Sequence, residues 1–297
     1  MAKLVDALGL GPSGATLESS SLSARTFFAI FMINFLHSFL PQPIILTLGP
    51  ISLRWYGLFL VLGISAGILI SLKISDWYKI KRDYILDLAI WLIIGGVIGA
   101  RLYEIFLELP FYLQNPAQMI KVWEGGLAIH GAIIGGLLTL FLFSYLNKLS
   151  ALKLITLVVP GVALGQSIGR WGNWFNQELF GQPTALAWGI PIALENRPIE
   201  QINAVFFHPT FLYESLGCLL IFVLLFWLSY HWRNNINQRK GLIIIALYFA
   251  AYAILRFMLE FIKIDHTPLI FGWRWPQIMS LIFIIFSTCL IFKALKR

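Results

Sequence analysis

A segment near the middle of the 297-residue chain concentrates the residue types that bind charged groups. It reads Gly-Arg-Trp-Gly-Asn-Trp-Phe-Asn-Gln-Glu-Leu-Phe-Gly from Gly169 to Gly181 and directly follows a strongly apolar stretch. The guanidinium of Arg170 offers a planar fork of donors that matches a phosphate or a carboxylate. Gly172 and Gly181 allow a sharp turn or a close backbone approach to a ligand. The alternative interpretation is an interfacial turn whose arginine reaches back toward water.

Two further segments place polar residues inside apolar stretches. Tyr252, Arg256 and Glu260 recur at a spacing of four, which puts them on one face of a helix. That face either binds a ligand or simply pairs Arg256 with Glu260. His130 lies in a glycine-rich segment that permits close approach by a substrate, and imidazole is a common general base near neutral pH. The alternative for His130 is a buried hydrogen-bonding role.

The composition predicts that membrane helices position these residues. The chain is 59% hydrophobic and only 12% charged, whereas soluble domains average about 25% charged residues. Uncharged runs of about twenty residues are long enough to cross the bilayer as helices, and they lack the alternation of barrel strands. The sequence therefore predicts an all-α integral membrane bundle of about seven spans. They cover Tyr56–Ile74, Ile85–Leu107, Gly125–Leu146, Lys153–Gly169, Thr210–Tyr230, Gly241–Ile262 and Pro276–Phe292.

The remaining segments have different compositions. Residues 1–26 are small, polar and serine-rich, and we expect a disordered or artefactual extension there. Residues 27–50 contain an apolar run that is short and ends at two prolines, which favours an interfacial arm over an eighth span. Residues 51–297 form the membrane domain, and its long loop at 171–209 is expected to form a small periplasmic head.

The charge pattern argues against nucleic-acid binding. The net charge is +8, but the basic residues fall mostly in short loops between apolar runs, where they orient the chain in the membrane. Cys218 and Cys289 each lie inside an apolar run, show no CxxC spacing, and are interpreted as buried small hydrophobes. The five histidines show no metal-ligand spacing, so no metal is expected.

Helix direction gives each intramembrane polar residue a depth at about 1.5 Å per residue. The polar residues converge near one membrane surface, with His130 about a turn and a half inside its helix. A charge at membrane depth costs at least ~2.5 kcal/mol, so this convergence predicts a shared charged cavity. The converging residues are Arg54, Tyr56, Arg101, Glu104, His130, Arg170, Asn173, Tyr213, Glu214, Tyr252, Arg256 and Glu260.

Several motifs in order make the chain similar to the prolipoprotein diacylglyceryl transferase family. They are Leu-Gly-Pro-Ile-Ser-Leu-Arg-Trp-Tyr-Gly at 48–57, Gly-Ala-Arg-Leu-Tyr at 99–103, the histidine block at 125–136, the 169–181 segment, His-Pro-Thr-Phe-Leu-Tyr-Glu at 208–214 and Tyr-Ala-Ile-Leu-Arg-Phe-Met-Leu-Glu at 252–260. Two positions depart from the pattern of many relatives. Ala132 replaces the second glycine after the histidine, and Lys263-Ile264-Asp265-His266 replaces Arg-Glu-Pro-Asp.

The resemblance implies a specific chemistry. The family takes phosphatidylglycerol as donor and the lipobox cysteine of a prolipoprotein as acceptor, in the bacterial inner membrane, and needs no cofactor. Arg170 and Arg256 match the arginines that hold the lipid phosphate, and His130 and Tyr252 complete the expected catalytic set. The expected substrate-binding residues are Arg170, Asn173, Glu178, Gly181, Tyr56, Arg101, Glu214 and Glu260. A transporter for an anionic lipid is the alternative class, but it needs polar gating groups at the cytoplasmic end, where few are present.

The first prediction concerns orientation. Twelve basic residues fall on the side of the even-numbered loops and the carboxyl terminus, against eight on the other side. The positive-inside rule then places the amino terminus outside and the carboxyl terminus in the cytoplasm. We expect an impermeant maleimide to label a cysteine introduced at Asn196 in intact cells, but not one at Asn235. The opposite labelling pattern would reverse the orientation.

Overall fold

The computed structural model describes residues 26, 30–31, 33–49, 51–265 and 267–296. Apart from Thr26, the predicted extension at 1–26 lies outside the described residues. Within the expected arm, residues 33–38 are helical. A hairpin of strands β1 (Ile44–Leu48) and β2 (Ile51–Arg54) follows.

The described residues contain seven helices that are long and apolar enough to cross a membrane, which confirms the predicted all-α membrane bundle. A short additional helix, α3, covers Leu109–Gln114. The spanning helices are α1 (Trp55–Trp77), α2 (Arg82–Leu107), α4 (Ile129–Leu146), α5 (Ala151–Phe175), α6 (Thr210–His231), α7 (Gln238–Leu259) and α8 (Trp275–Leu295).

Several predicted boundaries were wrong, and three of them bear on the polar residues. Helix α4 begins at Ile129 rather than Gly125, because Gly125 and Gly126 have φ values of 102° and 70° that do not fit a helix. Helix α5 continues to Phe175, so Arg170 lies inside the helix rather than after it. Helix α7 ends at Leu259 rather than Ile262. At Gly125 and Gly126 the backbone conformation, and not the hydropathy, decides where α4 begins.

Helix α5 is central to the bundle because it packs against α1, α6 and α7, while α2 packs on α4 and α8 on α7. Two apolar clusters fill the interior, one around Leu154 and Leu157 and one around Ala163 and Leu225. Cys218 is buried as expected, whereas Cys289 is exposed on α8, contrary to the prediction. The outer faces of the helices are apolar, as contact with lipid requires.

Residues 182–209 of the long loop form a separate compact unit together with the described residues up to Leu40. In that unit β3 (Ile190–Pro191) pairs with β4 (Phe206–Phe207) in antiparallel fashion. The ring of His37 stacks on Phe206 with centroids 3.8 Å apart, and its Nδ1 lies 3.0 Å from the carbonyl oxygen of Gly189.

Glycines allow α2 and α4 to approach within backbone contact. A Cβ atom at Gly135 would lie 2.4 Å from the carbonyl oxygen of Gly95 and 2.9 Å from Cα of Gly99, whereas one at Gly136 would meet nothing within 4 Å. We expect Gly135→Ala to lower the free energy of unfolding in detergent by about 1–3 kcal/mol through overpacking. Gly136→Ala is the matched control and should be neutral or stabilising. Equal effects of the two substitutions would contradict the close packing.

Candidate active site

The carboxylate of Glu214 lies between two basic side chains near the amino-terminal end of α6. Its Oε1 is 2.6 Å from Nη2 of Arg170, and its Oε2 is 3.5 Å from Nζ of Lys263. The hydroxyl of Tyr252 donates to the same Oε1 at 3.1 Å. The Glu214 side chain is only 1% exposed, so its charge depends on these neighbours rather than on water.

The carboxylate of Glu260 is held in the same way by two arginines. Nη2 of Arg256 lies 3.1 Å from its Oε2, and Nε of Arg274 lies 3.0 Å from its Oε1. Neither oxygen accepts a well-aligned hydrogen bond from a described residue, and Nη1 of Arg256 is buried without a described hydrogen-bond partner. The pair of Arg256 and Glu260 is therefore well placed to bind a further anionic or polar ligand.

Lys263 joins the two groups into one site. Its ammonium faces Glu214, while its carbonyl oxygen accepts a hydrogen bond from Nη1 of Arg274. Burial lowers the pKa of Lys263, and the Glu214 carboxylate opposes that shift. The site contains four basic side chains and two carboxylates, which leaves an excess of positive charge. An anion such as a phosphate would compensate that excess.

Each side chain is positioned by the end of an apolar helix. Helix α5 is held to α6 by Ser167 and Ser215, whose hydroxyls each donate to the other residue's carbonyl oxygen at 2.8 Å. Arg274 lies on β6 (Trp273–Arg274), which pairs with β5 (Leu269–Ile270) in a hairpin just before α8. Its guanidinium also donates to the carbonyl oxygens of Glu260 and Asp265.

The chain after Arg170 turns back beside the charged site. Nη1 of Arg170 donates to Oδ1 of Asn173 at 3.3 Å, and Nδ2 of Asn173 donates to Oε1 of Glu178 at 2.7 Å. The turn contains Gln177 and Leu179, which have φ values of 52° and 56°. Gly172 and Gly181, for which a sharp turn or a close approach was expected, have no positive φ. Gly181 forms an isolated β-bridge with Lys263.

Tyr56 lies at the start of α1 and contacts the same turn of α5. A Cβ atom at Gly172 would lie 2.9 Å from Cδ2 of the Tyr56 ring, so the close approach at Gly172 is to this side chain. The ring is 40% exposed. Tyr56 therefore packs at Gly172, in the part of α5 that carries Arg170 and Asn173, and its predicted role in binding substrate stays a prediction.

Arg101 lies in a different environment from the other predicted substrate-binding residues. Its Nε donates to Met119 at 3.0 Å, and its Nη1 donates to Gly125 at 2.6 Å and to Gly126 at 2.8 Å, in each case to the carbonyl oxygen. Nη2 donates to the carbonyl oxygen of Gln118. The side chain is buried, and its guanidinium holds the loop that precedes α4. Its predicted role in binding substrate stays a prediction.

His130 was placed too deep by the sequence analysis. It is the second residue of α4, not a turn and a half inside it, because α4 begins four residues later than predicted. It is exposed, and its ring packs 6.0 Å from that of Tyr103. Among the described residues, none of the hydrogen bonds or ion pairs of the charged site includes it.

Sequence reasoning missed Lys263 and Arg274 as members of the site. Both were counted only among the outer basic residues, and the departure at Lys263-Ile264-Asp265-His266 was the one available signal. His266 lies outside the described residues. Arg274 gave no signal because its position depends on the β5–β6 hairpin, which hydropathy does not reveal.

The fold and the site together define a multi-pass membrane protein with a net-cationic site among its helix ends. Comparison with known proteins agrees with this class. A family model described as prolipoprotein diacylglyceryl transferase matches residues 43–293. A phosphatidylglycerol--prolipoprotein diacylglyceryl transferase of Synechococcus elongatus is 40% identical over 250 residues, covering 83% of this chain and 85% of that protein.

Proteins of the same name from two other bacteria are similar to the chain. That of Parasynechococcus marenigrum is 43% identical over 234 residues, covering 78% of this chain and 83% of that protein. That of Thermosynechococcus vestitus is 40% identical over 248 residues, covering 84% and 91% respectively. The chain belongs to the prolipoprotein diacylglyceryl transferase family and is a membrane-embedded transferase.

The contacts of Arg101 generate a test that separates loop positioning from substrate binding. We expect Arg101→Lys to raise amide hydrogen exchange across residues 116–126 by about tenfold or more, because one ammonium cannot replace several charge-assisted hydrogen bonds. The affinity for phosphatidylglycerol should stay within about twofold of the unmodified protein. Weaker lipid binding with unchanged exchange would instead assign Arg101 to the substrate.

Proposed function

We propose that this transferase moves the diacylglyceryl group of phosphatidylglycerol to the thiol of a lipobox cysteine in a prolipoprotein. The products are a thioether-linked lipid and glycerol phosphate, and the reaction is the first step of lipoprotein maturation. The observation that carries the proposal is the excess of positive charge around Glu214 and Glu260, together with the unpartnered Nη1 of Arg256. A phosphodiester headgroup matches both features.

In this proposal Arg170 and Arg256 hold the lipid phosphate. Their side chains are 23% and 20% exposed, so each reaches the surface of the site while its carboxylate partner remains buried. Negative charge grows on the phosphate as the carbon–oxygen bond to the diacylglyceryl group breaks. Fixed guanidinium groups in a low-dielectric site stabilise that charge without reorganising.

The thiol must lose its proton to attack the glycerol carbon. A cysteine thiol with a pKa of about 8.5 is mostly protonated at neutral pH, so a base increases the reactive thiolate. The sulfur forms the new bond to carbon, the bond to the phosphate oxygen breaks with its electron pair, and the thiol proton goes to the base. His130 is the proposed base, with Tyr252 as the alternative, and the balanced reaction requires no cofactor.

The other expected residues have supporting roles in the proposal. Asn173, Glu178 and Gly181 line the turn beside Arg170, and Tyr56 packs against that turn. Glu214 and Glu260 orient the arginines rather than contact the phosphate. The proposed orientation places this site in the outer leaflet of the bacterial inner membrane, with the acceptor arriving from the periplasmic side.

Replacing Arg256 by lysine tests the phosphate role and the function together. Purified protein is incubated with phosphatidylglycerol and a lipobox peptide, and the mass of the peptide is measured. We expect the unmodified protein to add one diacylglyceryl group, and Arg256→Lys to lose about 10²- to 10³-fold in rate, because an ammonium cannot form the bidentate contact. Arg239→Lys, at an exposed arginine near the start of α7, is the control. Failure of the unmodified protein to modify the peptide would contradict the function, and an active lysine variant would contradict the clamp.

A second substitution identifies the group that takes the thiol proton. If His130 is the base, His130→Gln lowers the rate by about 10²- to 10⁴-fold, and part of the loss returns at high pH as the thiol ionises unaided. Tyr252→Phe then shows no comparable recovery at high pH. A near-normal rate for His130→Gln, with pH-dependent recovery in Tyr252→Phe, would transfer the role to Tyr252.

A further inference from the structure

A cavity of about 260 Å³ lies at the opposite end of the bundle from the charged site. It is lined by the side chains of three lysines, Lys79, Lys81 and Lys153, and by Ser150 and Tyr84, with no carboxylate in the lining. Lys153 and Arg170 are seventeen residues apart on α5, which separates them by ~26 Å along the helix axis. The cavity is therefore distinct from the site of the transfer reaction.

None of these three lysines makes an ion pair with a described residue. The nearby Asp76 is instead paired with Arg82 at 2.7 Å, outside the cavity lining. Asp83, in the first turn of α2, also lies outside the lining, so the three ammonium groups have no paired carboxylate within the cavity. Basic pockets between membrane helices at the bilayer surface are typical binding sites for anionic lipid headgroups.

Two helix amino termini add to the positive potential. Lys81 is the N-cap of α2 and its side chain makes no capping hydrogen bond, while Ser150 is the N-cap of α5 and its Oγ accepts from the backbone nitrogen of Lys153 at 3.4 Å. Both helices have more than twenty residues, and each amino terminus carries a partial positive charge, which Asp83 in the first turn of α2 partly offsets.

The connection between α1 and α2 and the connection between α4 and α5 have the same backbone conformation. In each, the chain leaves a helix through a Schellman turn: the nitrogen of Ile80 donates to the carbonyl oxygen of Ser75 at 3.0 Å, and that of Leu149 to Ser144 at 2.9 Å. The left-handed position, usually glycine, is occupied by Lys79 and Lys148, with φ values of 55° and 53°. Lysine is less favourable than glycine in this conformation, but at position 79 it adds an ammonium group to the cavity.

The surface next to the cavity is apolar. On α2, Trp91 and Ile98 follow Tyr84 at seven-residue intervals, which puts them on the same face, and they are 43% and 53% exposed. Acyl chains would lie on this strip with the headgroup in the basic cavity. A soluble phosphate would use only the cavity.

From these features we infer that the cavity binds the phosphate headgroup of an anionic phospholipid in the leaflet opposite the transfer site. The lysines and the two helix termini contact the phosphate, and the exposed face of α2 contacts the acyl chains. This inference does not depend on the proposed transfer reaction, because its tests measure lipid retention and not turnover.

Ser150 offers a matched pair of variants. Aspartate and asparagine are both good N-caps, so Ser150→Asp and Ser150→Asn should preserve α5, but only aspartate places a negative charge in the cavity. The full chain is purified in neutral detergent, and bound phosphatidylglycerol is counted by native mass spectrometry. We expect Ser150→Asp to lose one retained lipid, with affinity lowered by roughly fivefold or more, and Ser150→Asn to keep it. Equal retention by the two variants would overturn the inference.

Lys79 and Lys148, the two lysines with a left-handed backbone conformation, provide a second pair of variants. Lys79→Gly and Lys148→Gly both relieve the backbone conformation, so both should be at least as stable as the unmodified protein. Only Lys79 lines the cavity, so only Lys79→Gly should weaken lipid binding, by roughly fivefold. Equal affinities in the two variants would overturn the inference.

The nature of the ligand is tested on the unmodified protein. Phosphatidylglycerol should be retained and should raise the unfolding temperature more in the unmodified protein than in Ser150→Asp. Phosphatidylcholine and inorganic phosphate should give no such difference. Protection by inorganic phosphate equal to that by the lipid would mean that the cavity is a site for soluble anions and not for a lipid.

Discussion

Two carboxylates buried near one end of a membrane bundle form the constraint on which the site depends. Glu214 and Glu260 are almost completely inaccessible, and an unpaired charge in such a place costs several kcal/mol. Each is stable as an anion only because two basic side chains approach it. Those partners come from α5, from α7 and from the segment between α7 and α8, so three parts of the chain must be held in register before the charges are balanced.

Hydrogen bonds elsewhere in the bundle hold these three parts of the chain in place. The reciprocal hydrogen bonds of Ser167 and Ser215 fix α5 against α6, and the backbone carbonyls after α7 hold Arg274 in place. The result is a set of arginines that are already fixed before a ligand arrives. This preorganisation matters for phosphoryl leaving groups, since donors that must reorganise during the reaction contribute less to the rate.

The sequence predicted the parts of the structure that follow from hydropathy. Seven spans, their order and the convergence of Arg170, Glu214 and Tyr252 were all predictable, because the cost of burying polar groups in lipid leaves a clear pattern. Backbone conformation was not predictable in the same way. The start of α4 depends on two positive φ values, and the position of His130 changed with it.

The role of a basic residue was also hard to predict when its partners were backbone atoms. Arg101 contacts carbonyl oxygens in a loop, and these have no signature in the sequence. Arg274 reaches Glu260 only through a two-stranded hairpin of two residues per strand. Both arginines were recognised as basic residues near the outer surface, but their contacts require the folded loops.

The two basic regions of the protein use different side chains, and the chemistry of the side chains explains the difference. The charged site relies on arginine, whose guanidinium is weakly hydrated, always charged and able to bind through two donors, so it tolerates burial. The cavity at the other end uses exposed lysines, whose strongly hydrated ammonium groups suit the membrane surface. Lys263 is the buried exception, and burial lowers its pKa. The three arginines alone outnumber the two carboxylates, so the excess of positive charge does not depend on Lys263.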